Sequence, residues 1–364
     1  MFLSSKFLNN KLMSEKKLSY NSLENNRLSR NFYYGYFGDG SDGALSTSGN
    51  VELTVSTEDE DTIIKNYTSI TINSGHTLSV SKRCRGLVLY SQGDVVINGI
   101  LEMSDRSPCI DEVDNDYTLY SWLKQIKDHY SFPLQNGGAG GEGGGQAWLN
   151  TNKAEACEGY LFGGGRGSGG AGGMDGTGAY SGAVGGSIGM TSTVGASGGV
   201  GVTRTTANPG SYGSGGGANG NTSGYEGGSG GSSLNGSGAG GGGGTYSTEH
   251  GTNGGNGTAF GGGLIFIIAK GKITIGSGAY LKANGGNGAN GGAAGDGSSH
   301  GHAGSGGGGS GGGVIILCHK RGYSNAGTLQ VNGGIGGACG GGSYNFDGFE
   351  GDAGSIGSTY IFQV

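Results

Sequence analysis

Glycine fills 92 of the 364 positions, and most of it is crowded into three stretches, 137–263, 285–313 and 333–357. Ordinary proteins use about 7%. A glycine run offers no side chain to bury, so it has two physical outcomes. It can stay a solvated, flexible linker, or it can pack backbone against backbone, which only a residue without Cβ permits. A collagen is excluded, because the chain has only 3 prolines and a triple helix needs many. Solvated chains recruit Lys, Glu and Pro, all scarce in these stretches. The second outcome is therefore the expectation: a packed set of polyglycine-II helices, with three residues per turn and no internal hydrogen bonds. Their N–H and C=O groups must then pair laterally or with water.

The rest reads as β-structure arranged in an internal repeat. One unit runs from Gly86-Leu87-Val88-Leu89-Tyr90 to Asp94–Met103, a second from Gly263–Ile268 through Lys272–Ile275 to Ala279–Gly286, and a third from Gly313–Leu317 to Gly327–Gly334. Each couples a continuous apolar strand, a break near Gly or Lys, and an alternating strand ending at Asn-Gly or its equivalent. A continuous apolar strand is buried on both faces, and one unit cannot cover its own faces, so the copies should stack. Shorter strands are predicted at Val51–Val55, Ser69–Ile72 and Thr77–Val80, with a turn over Asn73-Ser74-Gly75-His76. Ser358–Val364 is suited to closing the stack. The expected fold class is mainly β: a repeated short-strand, β-helix-like or sandwich scaffold.

The chain divides into five parts: 1–36, a basic N-terminal attachment arm with part-helical character; 37–110, a β scaffold; 111–136, a helical insert; 137–262, the glycine-rich region; and 263–364, β repeats with glycine-rich loops. In the insert, Leu119, Trp122, Leu123 and Ile126 share one face of a predicted helix over 117–130, and Pro133 stops it.

Gly38-Asp39-Gly40-Ser41-Asp42-Gly43-Ala44, then Tyr67–Leu78, then Val95–Leu101 form an ordered string of turns and strands that resembles glycine-rich tail proteins of phages and prophages of clostridia and related bacteria. The glycine tracts resemble the polyglycine-helix domain of phage tail-tip adhesins, in which loops between tracts touch the host receptor. The chain departs from those adhesins in carrying β units between its tracts. The resemblance implies a virion tail-fibre or adhesin component, made in the host cytoplasm. Its partners would be a host cell-surface receptor, glycan or protein, and other tail or baseplate proteins held through the N-terminal arm. Homo-oligomerisation is left open.

Chemistry-bearing motifs are sparse. Matches to G-x-G-x-x-G arise by chance in such a composition. The calcium nonapeptide fails at Ala294 in Gly291–Asp296. His300 and His302 are close, and His250 follows Glu249, but no third ligand is evident, so no metal and no cofactor are expected. The five cysteines are widely spaced, which fits free thiols. Asp94, Glu102 and Asp105 are the carboxylates nearest a repeat strand; a polysaccharide depolymerase would need such a pair, but solvent-facing strand positions explain Asp94 and Glu102 more simply, and the chain is read as not an enzyme. Only 13% of residues are charged and the net charge is −6, which argues against nucleic acid. No window is apolar enough for membrane insertion.

What remains are aromatic residues between the glycine tracts: Trp148, Tyr160, Tyr212, Tyr225, Tyr246 with His250, and Tyr344, Phe346 and Phe349. Exposed rings stack on sugars or receptor side chains at low entropic cost; the plainer reading is that each ring fills a gap over glycine. These are the receptor-binding candidates. The alternatives are a purely structural tail or baseplate protein, the depolymerase, and a glycine-rich wall or coat protein.

Overall fold

The computed structural model describes residues 37–108, 137–140, 142–143, 156, 159, 163–164, 166–168, 170, 202–203, 219–220, 251–257, 260–294, 303–341 and 348–364. The predicted helices within 1–36 and 117–130 lie outside these residues.

The described chain winds as a coil of short strands, three to a full turn. A partial first turn holds β1 (Ala44–Ser46) and β2 (Val51–Leu53). The second turn is β3 (Thr62–Tyr67), β4 (Ser69–Ile72) and β5 (Thr77–Val80), and the third is β6 (Gly86–Ser91), β7 (Val95–Ile97) and β8 (Ile100–Glu102). An isolated pair, β9 (Val202–Thr203) and β10 (Asn219–Gly220), falls in the long insertion. The fourth turn is β11 (Leu264–Ala269), β12 (Lys272–Ile275) and β13 (Tyr280–Lys282); the fifth is β14 (Val314–His319), β15 (Gly322–Asn325) and β16 (Thr328–Gln330); β17 (Ser358–Gln363) begins a sixth. Equivalent strands of successive turns pair in parallel. The result is three five-stranded sheets, ordered β1-β4-β7-β12-β15, β2-β5-β8-β13-β16 and β3-β6-β11-β14-β17. This is a mainly β, β-helix-like architecture, and the parallel pairing sets aside the sandwich alternative.

Side-chain stacking explains the register. Leu87, Ile265 and Ile315 pair in a row, as do Leu89, Ile267 and Leu317. These rows point into the coil with Ile70, Val95 and Ile273 from a second sheet and Leu78, Leu101 and Leu281 from the third, all with no exposed surface. Each such side chain contributes about 1.5–3 kcal/mol by leaving water. The alternate residues of the β3-β6-β11-β14-β17 sheet, Val88, Phe266, Ile316 and Phe362, face outward into a second buried cluster that includes Phe37. Burial on both faces is why β6, β11 and β14 read as unbroken apolar runs.

Two strand expectations needed correction. The run expected over Asp94–Met103 is two strands, broken at the Asn98-Gly99 corner, where a Cβ on Gly99 would strike the carbonyls of His76 and Asn73. The strands β1, β3 and β15 were not anticipated, because ALS, TIIKNY and GYSN carry mixed or polar patterns.

The insertions all leave and re-enter at one corner of the coil. The chain leaves after β8, β13 and β16, all in one sheet, and returns at β11, β14 and β17, all in the next. Between them the glycine segments run side by side, and the segment 303–313 is the hub. Gly304, Gly307, Ser310 and Gly313 donate their N–H groups to Gly292, Ala289, Gly286 and Ala283; Gly306, Gly309 and Gly312 donate to Phe349, Asp352 and Ser355; Gly308 donates to Ser168. In return, Gly334, Gly337 and Gly340 donate to Ser310, Gly307 and Gly304, Gly138 donates to Gly312, and Gly262 donates to Gly311. One segment is thus bonded to six others, lying within 137–143, 163–170, 251–262, 283–294, 331–341 and 348–357, with a three-residue period. Every residue of 303–313 is buried.

Glycine is required there by space. A Cβ on Gly309 would sit on the Gly334 carbonyl, and one on Gly306 on the Gly337 carbonyl. Gly341, by contrast, has nothing near the place a Cβ would take. We predict that Gly309→Ala lowers the stability of the chain by about 1–3 kcal/mol or more, whereas Gly341→Ala leaves it unchanged or slightly raised. Denaturant midpoints of the two variants measure the difference, and equal midpoints would contradict the close-packed arrangement.

Candidate binding surface at the glycine bundle

The outer segments show how the bundle meets solvent. Along 331–341, Val331, Gly334, Gly337 and Gly340 are buried while Asn332, Ile335, Ala338 and Gly341 are exposed. Burial thus recurs every third residue, the period at which the segment bonds to the hub. The N–H groups of Asn332, Ile335 and Ala338 face away from the hub, and a side-chain ladder serves them instead: Asn284, Asn287 and Asn290 accept them through Oδ1 at 2.9, 3.0 and 2.9 Å. Asparagine at every third position supplies the acceptor that a further backbone would have supplied. Serines do the same inside: Ser310 Oγ accepts from Gly167 N–H, Ser168 Oγ from Gly143 N–H and Ser305 Oγ from Phe349 N–H. The Asn-x-x repeat was in plain view in the sequence, but its meaning depends on which segment lies alongside.

Among the sequence-predicted contact residues, Phe349 is described. It is half-buried, its N–H is held by Ser305 and its carbonyl by Gly306, so it belongs to the last bonded layer of the bundle before 342–347. Trp148, Tyr160, Tyr212, Tyr225, Tyr246, His250, Tyr344 and Phe346 lie outside the described residues, as do His300 and His302. The described segments nonetheless place the ends that bracket these stretches. Ala294 bonds to Gly341, and Gly292 to Gly304, at the end of the bundle remote from the coil. The connections 295–302 and 342–347 both start from that end.

At the near end, the base of the bundle is anchored to the coil by charge. Arg83 is buried and grips Asp59 through Nε and Nη2 at 2.8 and 2.9 Å, with Glu58 at 3.1 Å from Nη1. Its guanidinium lies 4.1 Å from the centroid of the Phe260 ring, in the segment returning from the long insertion. A planar cation can pair a carboxylate in its plane and stack a ring on its face.

Of the three carboxylates nearest the repeat strands, Asp94 is set apart by the fold, whereas Glu102 and Asp105 are near enough for the Glu102 charge to act on Asp105. Asp94 is exposed at the start of a strand in the first sheet, and its Oδ1 accepts the Lys272 N–H at 2.8 Å. Glu102 is on another sheet; its Oε1 accepts the Ser104 N–H at 2.9 Å and its Oε2 lies 3.9 Å from Lys282 Nζ. Asp105 stands where the chain leaves the coil, with a backbone φ of 55° and a buried Oδ1 that has no hydrogen-bond partner. Burial pushes its carboxyl up to about 6, against the opposing pull of Arg106 and the Phe260 N–H. The Cys84 and Cys318 thiols, both buried, are pushed up to about 11 and about 12. Among the described residues no three His, Cys, Asp or Glu side chains are grouped to hold a metal ion, and no helix is long and apolar enough to cross a membrane.

No family model, curated protein or solved structure matches the chain.

A raised carboxyl pKa has a defined consequence for stability. The ionised form is disfavoured in the fold, so Asp105 opposes folding least below its ordinary value of 3.8 and increasingly as pH rises through about 6. Asp105→Asn, neutral throughout and tolerant of positive φ, should equal the parent at the acid end and exceed it at neutral pH. Urea midpoints across this window test it; parallel pH profiles would contradict the assignment.

Proposed function

We propose that the chain is a virion tail-fibre or adhesin component that binds the host cell surface, with the coil and glycine bundle serving as a rigid stage for contact segments. In this reading the glycine segments are polyglycine-II helices. Their rise of about 3.1 Å per residue carries the chain roughly 28 Å between Gly313 and Gly304, so the connecting segments are held well clear of the coil. The observation that carries the reading is the common corner: every insertion departs from one sheet and returns to the next, and its described segments are bonded to their neighbours. Such a design gathers the turns of several separate insertions at one place.

The energetics suit a platform. A backbone hydrogen bond is worth only about 0.5–1.5 kcal/mol net, which barely offsets the roughly 0.5–1 kcal/mol that a glycine costs in conformational entropy. A lone glycine helix would therefore not hold. Surrounding one with six others pairs its N–H groups with three neighbours and its C=O groups with three more, and any displaced member would leave buried groups unpaired at about 1–3 kcal/mol each. Rigidity matters for recognition because immobilised contact segments have less entropy to lose on binding. Tyr344 and Phe346, with Trp148, Tyr160, Tyr212, Tyr225, Tyr246 and His250, are the residues assigned to contact, and Phe349 is the fixed point from which the 342–347 segment departs.

The test uses the purified full chain on a panel of bacterial cells and envelopes. The chain should adsorb to a subset of them. Replacing 342–347 by a Gly-Ser segment of equal length should abolish or shift that adsorption while leaving the melting temperature unchanged. Undiminished adsorption after replacement of every segment that carries a contact residue would defeat the reading, and adsorption to no cell would favour a purely structural tail or baseplate role.

A further inference from the structure

Two adjacent turns of the coil bring four cations to one corner. The corner between β11 and β12 reads Lys270-Gly271-Lys272, and that between β14 and β15 reads Lys320-Arg321-Gly322. Ala269 pairs with His319 and Lys272 with Gly322. Lys270 therefore stands beside Lys320, one interstrand spacing of about 4.8 Å away, with Lys272 and Arg321 flanking them. The corners are fixed by backbone bonds, Lys320 N–H to Ala269 and Arg321 N–H to Gly271. All four side chains are exposed. The ion pairs among the described residues involve other cations, Lys65, Arg83 and Lys282. Lys320 Nζ lies 5.8 Å from the centroid of the Phe37 ring. The equivalent corner one turn earlier is Gln92-Gly93-Asp94, where Asp94 accepts from the Lys272 backbone; one turn later β17 ends beside it at Val364.

Like charges on neighbouring strands repel, and directly opposed pairs are destabilising. The chain as a whole carries a net charge of −6, so this cluster runs against the overall balance. A stack of cations at a spacing fixed by the coil suits a linear partner with regularly spaced anions. We propose that this corner binds a phosphate-bearing linear polyanion of a cell surface. The inference rests on the surface-binding reading and adds to it the chemical class of a ligand and a second contact area, on the coil rather than at the bundle tips.

The experiment measures binding of long-chain inorganic polyphosphate and of neutral dextran to the full chain over a range of salt. Polyphosphate should bind and dextran should not, with a log–log salt slope of about −3 for four cations. Lys270→Gln with Lys320→Gln should lower the affinity by at least about tenfold and roughly halve the slope. Lys65→Gln, whose partner is Asp42, should change neither. Absence of polyphosphate binding, or binding that survives replacement of all four corner cations and so belongs to the N-terminal lysines, overturns the proposal. Cell adsorption with the same variants separates the two readings. Normal adsorption by the double variant rejects this corner and leaves the tip contacts standing, whereas a parent chain that adsorbs to no cell rejects the surface-binding reading itself.

Discussion

The structure depends on the lateral backbone hydrogen bond between segments that have no side chain to keep them apart. A β-sheet satisfies its backbone in one plane, so each strand has two neighbours. A threefold extended segment turns its amides outward in three directions, so it can have six. The hub at 303–313 uses that capacity in full, donating to three segments and accepting from three others. Such crowding leaves no room for Cβ at the points of closest approach. The unusual composition is thus a steric consequence of the packing, and serine and alanine enter the hub only at Ala303, Ser305 and Ser310.

The coil makes that bundle possible. Its parallel turns present the same corner again and again, and the three insertions leave from it in register. The bonded pairs Ala283–Gly313, Gly286–Ser310, Ala289–Gly307 and Gly292–Gly304 carry the alignment outward from the paired strands at its base. Loop-closure entropy grows only slowly with length, so long insertions cost the coil little, while the ordering of glycine must be offset by neighbours. Filling six sides of a central segment does so, and the Asn284, Asn287 and Asn290 ladder extends the same economy to the outer rim.

Much of the coil was legible in the sequence because its inward and outward rows are both apolar in β6, β11 and β14, which leaves a strong local signal. The strands β1, β3 and β15 were not, because polar residues break their apolar rows: Lys65 pairs with Leu89 and Asn325 with Ile275. The single run expected over Asp94–Met103 proved to be two strands, since the tight corner at Asn98-Gly99 does not interrupt hydrophobic alternation. At the site, the aromatic run Tyr344, Phe346 and Phe349 within the last glycine tract could be read from the sequence, whereas the division of 285–313 into two bonded segments could not. The roles of Asp105, of the asparagine ladder and of the Lys270–Lys320 stack could not, because each depends on a neighbour some 48 to 180 residues away, as the Asn284 contacts illustrate.

Hydrogen exchange of the 303–313 amides tests the central claim most directly. Amides bonded in a buried lattice open only with the bundle and should be protected to near the global stability of the chain, with Gly304, Gly307 and Ser310 among the slowest. Exchange of those amides at the rate of a free glycine peptide would contradict the account.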